Sequence, residues 1–154
     1  MNRLILILLT VALALTSCNR NTIYSHYQHT PLDGWEKNDT LVFDVVPVRS
    51  DGTYSEVVGL RMSSTYPFMG LTLIVEQEVW PSGLTHSDTL WCRLIDRDGN
   101  IQGEGISTFQ YNFQLRNLRL NTQDSLHITI RHNMKREILP GVADVGVTLR
   151  REDS

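Results

Sequence analysis

The amino-acid sequence predicts an all-β protein, an antiparallel β-sandwich of seven to nine strands in an Ig-like or jelly-roll arrangement. Apolar and polar residues alternate with a period of two, most clearly where Phe109, Tyr111 and Phe113 share one face of a predicted strand. Turn residues separate such segments at intervals of roughly 8 to 14 residues. No segment keeps the helical period, so a sheet protein is the favoured interpretation.

Before the sheet region, the sequence carries Arg3 and then residues 4–15, which are all apolar except Thr10. As a helix this segment would span about 18 Å, short of the ~30 Å hydrocarbon core, which favours a cleaved secretory signal. The following Leu15-Thr16-Ser17-Cys18 is typical of the cleavage and lipid-attachment box of a bacterial lipoprotein. We expect residues 1–17 to be removed and Cys18 to carry acyl chains that hold the protein on a membrane.

Composition narrows the function classes. A net charge of −3 with dispersed charges gives no electrostatic footprint for nucleic acid, and 41% hydrophobic residues suffice for one core. With Cys18 assigned to the lipid, Cys92 has no partner for an intramolecular disulfide. Cys92 alternates with Leu90 and Leu94, so we expect a small buried hydrophobe and not a catalytic thiol.

Residues 18–39 are predicted to form the lipidated N-terminus and a polar tether, and residues 40–154 the β-sandwich domain. Within the tether, His26 and His29 are three apart, a spacing that a metal could use on a helix. No helical pattern or further ligand surrounds them, so a tether or a first edge strand is favoured. We expect no metal, no cofactor and no small-molecule substrate.

The predicted domain begins with alternating residues 41–46 and breaks at Pro47, which has no N–H to donate. The turn pair Asp51-Gly52 predicts that residues 54–62 return as the next strand. Asp98-Gly99 is the strongest hairpin signal in the chain. The other predicted strands cover residues 70–79, 89–96, 108–115, 126–130 and 145–149.

Two patterns imitate chemical sites. Glu76 and Glu78 would project from one strand face about 7 Å apart, but catalytic carboxylates usually converge from different strands, so a solvated polar face is favoured. Residues 96–107 resemble a calcium loop that lacks the glycine at position six and the glutamate at position twelve, which indicates a turn. Since no nucleophile elbow or phosphate-binding motif is present either, we predict that the protein is not an enzyme.

Aromatic residues leave two interpretations open. The row of Phe109, Tyr111 and Phe113 either belongs to the core, which the polar opposite face favours, or forms a stacking platform for sugars. Four further aromatics lie beside predicted turns, where they either cover an end of the sandwich or anchor a partner. The predicted partner contacts are Trp35, Tyr66, Phe68 and Trp80.

Several segments that follow the lipid-attachment box resemble the gliding-motility lipoprotein family GldH. They cover nearly the whole chain after Cys18: 24–27 (YSHY), 34–40 (GWEKNDT), 66–73 (YPFMGLTL), 88–92 (DTLWC), 109–113 (FQYNF) and 134–142 (MKREILPGV). The resemblance implies a non-catalytic envelope lipoprotein needed by the gliding apparatus, which is linked to a secretion system for surface adhesins. Its implied partners are other envelope lipoproteins or motility and secretion proteins.

The side of the membrane is a further expectation. Residues 19–21 carry no acidic run of the kind that resembles a surface-export signal, which favours an outer-membrane anchor with the domain facing the periplasm. A surface carbohydrate-binding lipoprotein module remains the alternative, and it requires the aromatic row to be exposed.

Overall fold

The computed structural model describes residues 21–152, which form eleven β-strands. Cys18 and the predicted signal peptide lie outside the described residues. No helix among residues 21–152 is long and apolar enough to cross a bilayer. The strands are β1 (Thr22–His29), β2 (Trp35–Glu36), β3 (Leu41–Val45), β4 (Gly52–Ser63), β5 (Gly70–Trp80), β6 (Leu84–Arg93), β7 (Glu104–Gly105), β8 (Thr108–Leu120), β9 (Ser125–His132), β10 (Ile138–Leu139) and β11 (Val142–Arg151).

Two antiparallel sheets build the sandwich. The five-stranded sheet has the order β1-β11-β4-β8-β7, and the four-stranded sheet has the order β3-β9-β5-β6. The short strands β2 and β10 pair with each other in a separate ribbon. The predicted antiparallel β-sandwich is therefore confirmed.

The core lies between the inner faces of the two sheets. In β9 the burial alternates residue by residue, which places Leu126, Ile128 and Ile130 inside, and β11 contributes Val145 and Val147 from the opposite sheet. Burying one such aliphatic side chain contributes roughly 1.5–3 kcal/mol. The period of two in the sequence thus arises because each sheet has one face in the core and one face in solvent.

Cys92 belongs to this core, as the alternation predicts. Its side chain is fully buried on β6, opposite Leu71 of β5. Burial raises the pKa of the Cys92 thiol to about 12, so the thiol stays protonated at neutral pH. A protonated, buried thiol is a poor nucleophile and packs as a small hydrophobe.

The domain starts before the predicted boundary at residue 40. Strand β1 pairs along its length with β11, and the Thr30 N–H then donates to the Ala143 carbonyl (3.1 Å). The prediction that residues 18–39 form a tether is therefore wrong from Thr22 onward. The edge-strand interpretation of Tyr24 to His29 is the one that the structure bears out. Backbone hydrogen bonds to β11 fix β1 in the sheet. The mixed polar sequence of β1 has no apolar alternation that would predict a strand.

Two predicted turns have other roles. Asp51-Gly52 leads from β3 to β4, but these strands lie in different sheets, so the expected hairpin is wrong and the connection crosses the sandwich. Asp98-Gly99 closes a small turn in which the Asp96 N–H donates to the Asn100 carbonyl (2.9 Å), beside a single bridge between Ile95 and Ile101. The long hairpin of this region is β5–β6.

Candidate functional site

Trp35, one of the four predicted partner contacts, is part of the core. It is 0% exposed, and its indole N–H donates to the Asp39 carbonyl (2.8 Å). The ring lies 5.2 Å from the His132 ring in an edge-on contact. The prediction of a surface contact at Trp35 is therefore wrong, because the side chain belongs to the buried core and its strand pairs with β10 through Leu139.

His132 is equally buried and holds the Trp35 segment in place. Its Nε2 lies 3.1 Å from the Trp35 carbonyl, which can only accept, so Nε2 carries the proton. Burial lowers the pKa of His132, which keeps the ring neutral. Its Nδ1 can then accept the Met134 N–H (3.4 Å). The histidine is a structural link and not a metal ligand.

Tyr66 and Phe68 cover the end of the sandwich opposite the start of β1. Both are half-buried against the core, and their rings meet edge-on at 5.6 Å. The Tyr66 hydroxyl donates to the Gly70 carbonyl (2.9 Å), and burial raises the pKa of Tyr66. Of the two alternatives for aromatics beside turns, these two residues mainly cover the core.

Two tryptophans are exposed on the four-stranded sheet. Trp80, a predicted contact, is 53% exposed at the end of β5, and Trp91 is 57% exposed on β6. Trp91 was not among the predicted contacts, although the sequence carried the signal. Leu90 and Cys92 were assigned to the inner face, and alternation then turns Trp91 outward.

The Trp91 ring lies against the sheet above a glycine. A Cβ atom built on Gly70 would come within 2.5 Å of the Trp91 ring, so only glycine permits this close approach. The Cζ2 and Cη2 atoms of the ring lie over Gly70 of β5, and more than half of the residue meets solvent. This arrangement presents a flat aromatic surface on the outer face of the four-stranded sheet.

The same outer face carries a polar groove of about 400 Å³, whose lining residue on β6 nearest to Trp91 is Ser87, four residues away. Across the strands, Glu78 stands opposite His127 and Thr85, and Glu76 stands opposite Thr129 and Ser87. Glu76 is exposed, as the solvated-face interpretation predicts, and no acid among the residues lining the groove faces these two from β6 or β9. The groove therefore lacks the facing carboxylates that glycoside hydrolysis requires.

His127, which lines this groove, is paired with Asp44. The His127 Nδ1 lies 2.6 Å from an Asp44 carboxylate oxygen, across the β3–β9 pairing. His26 and His29, the other spacing considered for a metal, point to opposite faces of β1 because they are an odd number of residues apart. Within residues 21–152, no three His, Cys, Asp or Glu side chains are grouped to hold a metal ion.

The aromatic row of β8 faces inward. Tyr111 is 6% exposed, and its hydroxyl donates to the Leu94 carbonyl (3.2 Å). Phe109 and Phe113 pack against the core, and the Phe113 ring stacks parallel to Tyr111 at 6.1 Å. The core interpretation is confirmed, and a sugar platform on this row is wrong because the row lies on the inner face of the sheet, with Tyr111 buried and Phe109 and Phe113 partly buried.

The outer face of the five-stranded sheet is occupied by Tyr27. The Tyr27 ring lies across two adjacent strands over Gly59 and Gly146, where an added Cβ would come within 2.1 and 2.6 Å of it. Arg61 stacks on the ring at 4.1 Å from its centroid, and Gln110 Nε2 donates to the Tyr27 hydroxyl (2.8 Å). This ring ties β1 to β11, β4 and β8.

Charged side chains add ion pairs to the contacts around the Tyr27 ring. Asp144 of β11 pairs with His29 of β1 and lies 3.7 Å from Arg61 of β4. The Arg61 Nε in turn donates to the Gln110 side-chain oxygen (3.1 Å). These residues together with Tyr27 form a closed circuit across four strands, which we call the Tyr27 network. Within it, the Asp144 side chain is 9% exposed, and those of Arg61 and His29 are 42% and 90% exposed.

A buried acid links the two sheets from inside. Glu56 of β4 is 0% exposed and accepts a hydrogen bond from the Gln77 amide of β5 (2.6 Å). Burial raises the pKa of Glu56 to about 8, the Arg116 charge opposes that rise, and the Asp88 charge adds to it. Arg116 is already engaged with Asp88 through two bonds of 2.8 and 2.7 Å. Glu56 is therefore protonated at neutral pH and joins the sheets as a neutral group.

Comparison with known proteins settles the family. The family model described as GldH lipoprotein matches residues 22–149. The chain belongs to the GldH lipoprotein family. The gliding motility lipoprotein GldH of Flavobacterium johnsoniae is 30% identical, and the alignment covers 96% of each chain. The predicted membership is confirmed, and the chain is a lipid-anchored protein of the cell envelope.

Two solved structures share the sandwich fold of this GldH-family chain. A carbohydrate-binding module specific for non-crystalline cellulose, CBM28, has a TM-score of 0.50 at 10% identity and covers 84% of this chain and 75% of its own. A family GH115 4-O-methyl-alpha-glucuronidase has a TM-score of 0.50 at 14% identity, over 89% of this chain and 18% of its own. At these identities the likeness shows the fold alone.

Proposed function

We propose that this GldH-family lipoprotein is a non-catalytic component or assembly factor of the gliding-motility and secretion apparatus, which acts by binding other envelope proteins. Cys18 carries the lipid, and the outer face of the four-stranded sheet around Trp91 binds the partner. The observation that carries the proposal is the flat, exposed Trp91 ring above Gly70. On the opposite outer face, the Tyr27 ring is covered by Arg61 and bonded to Gln110.

Trp91 has the properties of an interface anchor. Aromatic side chains bury a large area at a small loss of conformational entropy, and tryptophan is enriched among the residues that dominate binding energy. Met69, which precedes the glycine under the ring, is also exposed and widens the apolar surface. The polar groove with Glu76 and Glu78 supplies a hydrophilic rim.

The lipid supports the same mode of action. A protein held on one membrane surface meets partners on that surface at a high effective concentration, so a single aromatic anchor with a polar rim suffices for a specific contact. We propose the outer membrane and its periplasmic side as the location. Protease added to intact cells should then leave the domain uncut, and digestion there would place it on the cell surface.

Site-specific crosslinking in the host tests the partner surface. A photo-crosslinking residue replaces Trp91 in one strain and Asn112 in another, since Asn112 is exposed on the outer face of the five-stranded sheet. We expect crosslinks to envelope lipoproteins or motility proteins from position 91 and none from position 112. Crosslinks from position 112 alone, or from neither position, would contradict the proposal.

The carbohydrate-binding alternative shifts to the same face. Trp91 offers the flat aromatic surface on which a sugar ring stacks, and the neighbouring groove offers carboxylates and hydroxyls. A glycan array with the wild type, Trp91→Ala and Trp80→Ala distinguishes it from the protein-binding proposal. Glycan binding that Trp91→Ala abolishes and Trp80→Ala retains would favour the carbohydrate function, and absence of binding would exclude it.

A further inference from the structure

The end of the sandwich at which β1 begins gathers exposed apolar and basic side chains, and we call it the anchor end. Thr22 starts β1 opposite Arg150, and the Arg151 N–H donates to the Asn21 carbonyl (2.7 Å). The β3–β4 connection joins the same end, because a groove of about 410 Å³ is lined by Asn21, Val46 and Arg151 together. The start of β1 and the end of β11 thus meet the β3–β4 connection.

The tip of the four-stranded sheet lies at the anchor end as well. The Val48 N–H of the β3–β4 connection donates to the Asp124 carbonyl (2.8 Å). The next residue, Ser125, stands directly opposite Trp80 in the pairing of β9 with β5. Leu84 begins β6 after the turn that follows Trp80. Both side chains therefore project at the end where the chain leaves toward Cys18.

The composition of the anchor end fits the boundary between lipid and water. Exposed arginines lie at this end with its apolar side chains. Of the local acids, Asp51 accepts the Thr122 N–H and Asp124 accepts the Asn121 N–H, while Glu152 is exposed. Tryptophan and arginine are the residues that favour the headgroup region of a bilayer. The exposed apolar side chains are Ile23, Val46, Trp80 and Leu84, and the arginines are Arg49, Arg119, Arg150 and Arg151.

The length of the connection limits what can cover this surface. Asn21 follows Cys18 by three residues, and a fully extended chain spans at most ~3.6 Å per residue, or about 11 Å in all. A single helix is already about 10–12 Å thick. Even one helical layer between the acyl chains on Cys18 and the anchor end would therefore require this connection to be almost fully extended.

We propose that the anchor end rests on the membrane leaflet that holds the Cys18 lipid, with Trp80 and Leu84 in the headgroup region. The inference rests on the acylation of Cys18 in the proposed function. Trp91 lies seven residues beyond Leu84 on β6, about 24 Å along the strand, and therefore stays in water. The membrane contact thereby turns the partner surface away from the bilayer.

Fluorescence quenching tests the contact with matched tryptophans. The full lipidated protein, purified from its host, is reconstituted into phosphatidylethanolamine and phosphatidylglycerol vesicles with brominated acyl chains. The variants are Trp80→Phe and Trp91→Phe, which remove tryptophans of similar exposure, while buried Trp35 contributes equally to both. We expect Trp91→Phe to keep the quenching by bromolipid and Trp80→Phe to lose it. Equal quenching in both variants, or its loss in Trp91→Phe, overturns the proposal.

Metabolic labelling with an alkynyl fatty acid tests the lipid anchor separately from the membrane contact of the anchor end. Absence of label in the wild type would contradict the lipid anchor on which the proposed function depends. Labelled protein with an unquenched Trp80 overturns the membrane contact alone. A Val46→Glu, Leu84→Glu variant should keep the label and lose the quenching of Trp80. Shielding of Trp80 in native envelopes but not in vesicles would identify a protein occupant and also overturn the contact.

Discussion

The two outer faces of the sandwich use the same device for opposite purposes. On each face an aromatic ring lies over glycine, Tyr27 over Gly59 and Gly146 and Trp91 over Gly70. Tyr27 is then covered by Arg61 and bonded to Gln110, whereas Trp91 remains more than half exposed. The Tyr27 ring is part of the packed fold, and the Trp91 ring is free to contact a partner.

The difference teaches how to distinguish a structural aromatic from a binding aromatic. The polar groups around Tyr27 satisfy one another across four strands, so a partner there would have to break existing bonds before making its own. Trp91 offers area without such a cost. Substitutions on the Tyr27 face should therefore change stability, and substitutions on the Trp91 face should change binding.

The largest effect is expected from filling the space under Tyr27. Gly146→Val should lower the free energy of unfolding by about 3 kcal/mol, because the new side chain overlaps the Tyr27 ring, and displacing the ring breaks its contacts with Arg61 and Gln110. Chemical denaturation measures it. The matched change Gly70→Val should cost about 1 kcal/mol, since Trp91 can move into solvent. Equal losses would remove the contrast between the faces.

The next largest effect is a pH dependence of stability that arises from Glu56, in the core between the two sheets. The folded pKa of Glu56, about 8, lies above its usual value of 4.5, so its stabilisation is complete below pH 4.5 and is lost as pH rises through 8. Linkage sets a ceiling of about 4 kcal/mol between pH 5 and 9, and relaxation of the buried group reduces it to about 2 kcal/mol. Denaturation at both pH values measures it.

Glu56→Gln is the control for this pH dependence. It keeps the shape and a hydrogen-bonding end group but cannot ionise, so its stability should change less between pH 5 and 9 than that of the wild type. An identical pH slope in the variant and the wild type would show that Glu56 does not titrate as the burial indicates.

A smaller effect is expected from one hydroxyl of the Tyr27 network. Tyr27→Phe keeps the ring over the glycines and removes the bond from Gln110, which should cost about 1 kcal/mol. Thermal unfolding followed by circular dichroism detects the change. The comparison variant Asn112→Ala removes only the long bond from Gln110 (3.4 Å) and leaves the Tyr27 hydroxyl bonded, so it should alter stability by less than about 0.5 kcal/mol.

The smallest change in stability should accompany the largest change in binding. Trp91→Ala should shift the free energy of unfolding by less than about 0.5 kcal/mol, because the side chain is mostly in water. Co-purification from the host should nevertheless lose the envelope partners. A variant that unfolds as readily as Gly146→Val, or one that retains all partners, would place Trp91 among the structural aromatics.

The sequence by itself determined the features that depend on local pattern. The period of two identified the sheets and the inward faces of Tyr111 and Cys92, since alternation of side chains is a property of each strand alone. The resemblance of several sequence segments to the GldH family was likewise recognisable from the sequence alone.

Tertiary structure decided which elements meet. Backbone hydrogen bonds to β11 make an edge strand of β1, and neither its own residues nor their period announce that pairing. The β2–β10 ribbon and the chain around it bury Trp35, and the assignment of β3 and β4 to different sheets follows from partners far along the sequence. Exposure depends on the neighbouring elements, so the burial of Trp35 could be seen only once the strands had been placed.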